Sequence, residues 1–175
     1  MTIIYPDNGT GTDTPGMNFE AISPVEFTIP AGVTSIDKIG IQLHQDESAY
    51  EYVGLIYSES GGTYTKLAET ACLSPANTTN WQDFDLTSSL SVSPSDTLYG
   101  AWWSNAYPSS GTYATGSNLN YQSASSYTTC ALAKAATYVP TATAYLPGWN
   151  FRLTGSEAPP PSSTTVFPPP PVAYI

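Results

Sequence analysis

From Tyr52 to Ser104 the chain reads as β-type runs divided by turn residues: Val53–Tyr57, Thr63–Cys72, Asn80–Leu86 and Asp96–Ser104. Val53–Tyr57 is a short continuous apolar run, stopped by Ser58-Glu59-Ser60-Gly61-Gly62. In the third run Trp81, Asp83 and Asp85 fall on one face, and Gln82, Phe84 and Leu86 on the other. Leu98–Trp103 is the most apolar of the set. Period-two patterning with turn clusters about every 8–12 residues predicts a sandwich or barrel of antiparallel strands.

The flanks extend this pattern. Val25, Phe27 and Ile29 alternate before a Pro30-Ala31-Gly32 turn, and Ile39, Ile41 and Leu43 alternate against Lys38, Gly40 and Gln42. Met17, Phe19 and Ala21 mark the expected start of the domain. Asn105–Tyr127 is Tyr-rich and loop-like, punctuated by Pro108, Gly111 and Gly116. Cys130–Val139 has alanines that favour a helix, while a strand ending at Pro140 accounts for it equally well. Trp149, Phe151 and Leu153 share one face of an expected last strand. No window sustains a 3.6-residue period, so long helices are not expected.

The two ends differ in kind from the middle. Residues 1–16 read as an N-terminal arm whose apolar knot, Ile3, Ile4 and Tyr5, forms an edge strand before a loop. Residues 155–175 contain Pro159–Pro161 and Pro168–Pro171, which favour polyproline II and exclude a central strand. Val166, Phe167, Pro169, Val172, Tyr174 and Ile175 supply anchors along this tail. A Pro-rich tail with such anchors cannot bury a core alone, so docking onto a neighbouring subunit is expected. The expected organisation is an arm over 1–16, an all-β antiparallel sandwich over 17–154 and a docked, extended tail over 155–175.

Composition narrows the partners. Of 175 residues only 10% are charged, against about 25% in ordinary soluble domains. Four basic residues (Lys38, Lys66, Lys134, Arg152) face fourteen acidic ones, for a net charge of −10. Neutralising phosphates needs clustered Lys and Arg, so nucleic acid and anionic lipid are not expected partners. No stretch approaches the roughly 18 apolar residues of a membrane helix. The opening Met-Thr-Ile-Ile-Tyr-Pro-Asp lacks the features of a signal peptide. A Ser/Thr-rich surface without that signal fits release by lysis and a place on a virion surface or outside cells. Cys72 and Cys130 match no metal motif. Each sits in a strand-like apolar context, so buried free thiols are the first expectation. One cross-strand disulfide, which needs an oxidising compartment, is the alternative.

The central landmarks resemble a known module. Gly54-Leu55-Ile56-Tyr57-Ser58 with Ser60-Gly61-Gly62, then Leu67-Ala68, Trp81-Gln82-x-Phe84-x-Leu86 and Asp96-Thr97-Leu98-Tyr99 are similar to the jelly-roll β-sandwich of bacterial surface and adhesion proteins and of phage structural proteins. Asn80 and Asp96 stand where glycine is usual, and both suit turns. The resemblance covers about residues 17–154 and implies surface display and carbohydrate or cell-surface contact. It carries no shared catalytic residues.

Candidate chemistry is sparse. His44, the only histidine, lies in a polar loop with no nucleophile elbow, and a second histidine for metal ligation is missing. Asp83 and Asp85 project from one strand face about 7 Å apart, and Asp46, Glu47 and Glu51 cluster around a loop. Solvated acidic faces explain both groups better than a glycosidase pair or a Ca²⁺ site. The Asn8 and Asn77 glycosylation matches read as chance. Exposed aromatics are the better candidates, because Tyr and Trp stack on sugar faces. Trp102 and Trp103 point to opposite faces of a strand. The outward one, with Tyr107, Tyr113, Tyr121 and Tyr127, is a candidate glycan- or protein-binding patch, against packing of the loops onto the sandwich. No catalytic residue, metal or cofactor is expected. The expected function is a non-enzymatic structural protein on a particle, joined to other structural proteins of an assembly (copies of itself, or a capsid or tail protein). A carbohydrate-binding or adhesin module is the alternative.

Overall fold

The computed structural model describes residues 1–4, 25–42, 51–74, 81–105, 113–114, 118–121, 129–134, 137–139, 142–145, 148–149 and 151–158. Its strands begin with β1 (Thr2–Ile4), β2 (Val25–Thr28), β3 (Val33–Gln42), β4 (Tyr52–Ser60), β5 (Thr63–Glu69), β6 (Trp81–Ser91) and β7 (Thr97–Ser104). There follow β8 (Tyr113–Ala114), β9 (Asn118–Tyr121), the helical turn α1 (Cys130–Ala133), β10 (Thr137–Tyr138), β11 (Ala142–Tyr145), β12 (Gly148–Trp149) and β13 (Phe151–Glu157).

The principal strands form two antiparallel sheets, β1-β13-β3-β6 and β10-β5-β4-β7-β2. Two small ribbons, β11-β9 and β12-β8, come from the excursion between β7 and β13. From β1 to β7 and on to β13, the chain changes sheet at every step except the β4–β5 hairpin. That hairpin turns on Gly61 and Gly62, whose positive φ angles of 58° and 82° suit glycine and the twist of the flanking strands.

The sheets face each other across one apolar core, as a β-sandwich. Ile4, Ile36, Ile39, Ile41, Leu86 and Leu153 come from one sheet, and Phe27, Tyr52, Ile56, Leu98 and Trp102 from the other. Phe84 of β6 meets Trp102 of β7 edge-on, with ring centroids 5.7 Å apart. Gly54 of β4 makes room for this contact: a Cβ there would lie 2.5 Å from Ile39 Cγ2 and 3.2 Å from Trp102 Cζ2.

A second apolar layer lies on the other side of the five-stranded sheet. It contains Val53, Leu55, Tyr57, Tyr64, Ala101 and Trp103, with Cys130 and Ala133 of α1 packed among them. β4 and β7 are therefore buried on both faces. This is why their sequences read as near-continuous apolar runs rather than as alternation.

The sandwich has two unlike ends. The short connections, 29–32 between β2 and β3, Gly61-Gly62, and 92–96 between β6 and β7, lie together at one end. Ile29 N–H donates to Asp96 O, Ser95 N–H to Ile29 O and Val92 N–H to Thr34 O there. Gln42, Tyr52, Glu69, Trp81, Ser104 and Phe151 lie toward the other end, so the longer connections leave from it.

Several expectations change. β6 continues to Ser91, beyond the expected Leu86, because Leu90 and Ser91 pair with Ile36 and Ser35 of β3 after a bulge. The expected last strand divides between two partners: Gly148–Trp149 pairs with β8, whereas Phe151–Glu157 lies between β1 and β3. The sandwich thus reaches Glu157, past the expected limit at 154. Gly155 permits this, since a Cβ there would lie 2.7 Å from Val33 Cγ1 and 2.8 Å from the Ser35 carbonyl oxygen. Cys130–Val139 contains both expected elements, a turn of helix and then a short strand. Thr129 caps that turn, its Oγ1 accepting from Leu132 N–H at 3.3 Å.

The cysteines are corrected as well. Cys72 and Cys130 are not free thiols but a disulfide, with Cα atoms 6.1 Å apart. The excursion after β7 folds back over the five-stranded sheet and sets Cys130 beside the segment that follows β5. Sequence distance alone carries no trace of that return.

Candidate functional site

The open outer face of the four-stranded sheet carries polar residues in cross-strand register. Asp83, Gly40 and Arg152 lie side by side across β6, β3 and β13, and Asp85, Lys38 and Thr154 form the next row. Gly40 leaves the middle of its row without a side chain, so Arg152 reaches over β3 to Asp83. The guanidinium donates through Nε to Oδ1 at 2.8 Å and through Nη2 to Oδ2 at 2.5 Å. The same guanidinium lies 4.5 Å from the centroid of the Trp81 ring. A Cβ at Gly40 would strike Asp83 Oδ1 and come within 2.9 Å of Arg152 Cγ. In the neighbouring row Lys38 Nζ lies 2.7 Å from Asp85 Oδ1, and that hydrogen bond raises the ammonium pKa.

Farther along the same sheet, Asp37 sits at a bulge where β3 loses register with β6. Its carboxylate accepts from Ser156 at 2.6 Å, from Ser89 at 2.5 Å and from Ser35 at 3.2 Å. The Ser156 hydroxyl, followed by that of Ser89, holds this carboxyl below its ordinary range.

Across the outer face of the five-stranded sheet lies a strap, residues 129–138 in their described parts, with Cys130 and Ala133 packed into the second apolar layer. Three attachments bind it to β5 and the segment after β5: the disulfide, the β10–β5 pairing, and a cluster of charges. Glu69 lies 2.5 Å from Lys66 Nζ and 3.2 Å from Lys134 Nζ, while Lys66 also donates to the Lys134 carbonyl at 2.6 Å. Burial alone would raise the Glu69 pKa, but the two ammonium groups outweigh it and the carboxyl sits lower than usual. Beneath the strap Tyr57, Tyr64 and Tyr99 stack edge to face, at 6.3 Å and 5.3 Å. Desolvation, with Glu26 nearby, pushes the Tyr99 phenol up to about 12.

All four basic residues of the chain are thus engaged in internal ion pairs. Asp83 and Asp85, weighed above as a carboxylate pair, each have a cationic partner. Among the described residues, no group of three or more His, Cys, Asp or Glu side chains is placed to hold a metal ion. No described helix is long and apolar enough to cross a membrane.

The expected site residues are scattered. Trp103 is the outward member of its pair, as its position on the strand predicts, but it is fully buried beneath the strap. It therefore offers no surface to a glycan. Tyr113 and Tyr121 lie in β8 and β9, whereas Tyr107, Tyr127 and His44 lie outside the described residues. Among the anchors, Ile3 is 48% exposed on the edge strand, whereas Ile4 points into the core. Tyr5, Val166, Phe167, Pro169, Val172, Tyr174 and Ile175 lie outside the described residues. Sequence reasoning missed the strap with its charge cluster and the Trp81–Arg152–Asp83 group. Asp83 and Trp81 were legible as one strand face, but nothing local linked them to Arg152.

Comparison with protein-family models, with curated proteins and with solved structures finds no match to this chain.

Proposed function

We propose that this chain is a non-enzymatic structural protein displayed on the outside of a particle, a decoration or fibre-type component of a phage or virion, attached through its terminal segments. The polarity of the sandwich carries this reading. Met1 and Ala158 lie together at the end with the short turns: Thr2 pairs with Gly155, Thr2 Oγ1 donates to Glu157, and Ala158 N–H donates to Gly32 O. The longer connections leave from the opposite end. A domain arranged in this way attaches at one end and presents loops at the other.

The strand order supports a finer reading of the fold. With β5-β4-β7-β2 facing β1-β13-β3-β6, the connectivity matches two interlocked Greek keys, the jelly-roll arrangement. Viral capsid domains and lectins both use that fold, so it does not by itself choose a function. The disulfide supports a location outside the reducing cytosol.

Sedimentation velocity of the full chain and of a chain ending at Ala158 tests the anchoring. The full chain should self-associate, while the shortened one stays monomeric with an unchanged circular dichroism spectrum. Equal behaviour of the two would sink attachment through the tail to copies of this chain.

A second reading, a carbohydrate-binding or adhesin module, rests on the part-buried Trp81 beside Arg152 and Asp83 on the open sheet face. It predicts glycan-array binding that Trp81→Ala abolishes and Trp103→Phe leaves intact. An array without a binder would count against it.

A further inference from the structure

We propose that the Cys72–Cys130 disulfide is a redox latch on the strap, closed in oxidising surroundings and opened by thiol reductants without unfolding the sandwich. The two cysteines are unequally placed. Cys72 is exposed at the surface, whereas Cys130 is 4% exposed and packs in the second apolar layer. A reductant therefore reaches the bond from the Cys72 side.

The chemistry is ordinary thiol–disulfide exchange. A thiolate of a small dithiol attacks Cys72 Sγ, and the S–S bond breaks. Cys130 leaves as a thiolate and takes a proton from water. The second thiol of the reductant then attacks the mixed disulfide, freeing Cys72 as a thiol and leaving the reductant as its own disulfide. Two electrons pass from the dithiol to the protein.

What remains after reduction is weak. β10 pairs with β5 over two residues. Lys134 keeps its ion pair with Glu69, between side chains each 22% exposed where water and salt compete, and its carbonyl keeps the hydrogen bond from Lys66. α1 is a single four-residue turn that cannot persist by itself. The inter-sheet core shares none of these attachments: no described residue of the strap belongs to it. Loss of the disulfide therefore frees the strap and uncovers Trp103 and Tyr64, while the sandwich stands on its own core. A chain made in a reducing cytosol would keep the strap loose, and close it on release into an oxidising medium.

Hydrogen exchange read by mass spectrometry tests this on the full chain, oxidised, then reduced with dithiothreitol and alkylated. Amides of Ala133, Lys134 and 137–138 should exchange on the order of tenfold faster or more after reduction, with β3 and β13 unchanged. Cys72→Ser, which alters an exposed position, should reproduce that pattern without reductant. Unchanged strap amides would overturn the proposal, because the charge cluster would then suffice. Loss of protection across the whole sandwich would overturn it too, since the bond would be a staple of the fold. So would two free thiols by mass in air-oxidised protein.

Discussion

The two outer faces of this sandwich are built from strands of the same period and end up in opposite states. On the five-stranded sheet the outward positions of β4 and β7 include Val53, Leu55, Tyr57, Ala101 and Trp103, all buried in one layer with Cys130 and Ala133 of the strap. On the four-stranded sheet the outward positions include Lys38, Gly40, Asp83, Asp85, Arg152 and Thr154, whose charged members pair as Lys38 with Asp85 and Arg152 with Asp83. The apolar face needs a second layer to keep water off. Holding that layer in place takes a disulfide, a charge cluster and a two-residue ladder. The polar face needs only side chains long enough to reach, and one glycine for them to reach across.

The largest expected effect separates the faces directly. Trp103→Ala should destabilise the protein by about 3–5 kcal/mol in urea unfolding, the usual cost of emptying a fully buried aromatic site. A cost near that of an exposed residue would mean that the strap does not cover this face. Next comes Gly40→Val, which intrudes between Arg152 and Asp83 and should cost about 1–3 kcal/mol as an overpacked site. A neutral result would show that the row is not bridged as described.

Asp83→Asn should cost about 1 kcal/mol or less, because the pair is partly exposed. The difference from wild type should shrink as NaCl is raised; a salt-independent difference would argue against an ion pair.

The smallest effects appear at the extremes of pH, and each belongs to one face. Asp37, on the open sheet, has a folded pKa below its unfolded value near 3.8. Its contribution is complete above that value and is lost as pH falls through the lower folded one. Ser156→Ala should flatten this acid limb. Tyr99, by the strap, has a folded pKa raised from 10.0 to about 12. Between these values the unfolded chain gives up the proton first, so stability should fall as pH rises above about 10. Tyr99→Phe should remove that slope in alkaline urea titrations, and a slope that persists would place its origin elsewhere.

Strands were largely legible in the chain. The runs at Val53–Tyr57, Thr63–Cys72 and Asp96–Ser104 lie within or nearly within β4, β5 and β7, and the faces of Trp81–Leu86 are as alternation predicts. Boundaries were less legible where polar residues continue a ladder, as in Thr87–Ser91. The site was hardly legible. Alternation says that Trp102 and Trp103 point to opposite faces, but whether the outward one is exposed depends on a segment that returns from nearly 30 residues downstream.

What the backbone does locally is written in the order of residues: alternation sets the side-chain faces, and Gly61-Gly62 sets a hairpin. The stacked fold settles which apolar face is inner core and which is second layer, and that Cys72 meets Cys130 across a separation of 58 residues. It also decided that Arg152 spans a glycine to reach Asp83. Period-two patterning reports on neighbours two residues apart. Coverage and cross-links join residues far apart in the chain, and they exist only once the sheets have been stacked and the strap has returned.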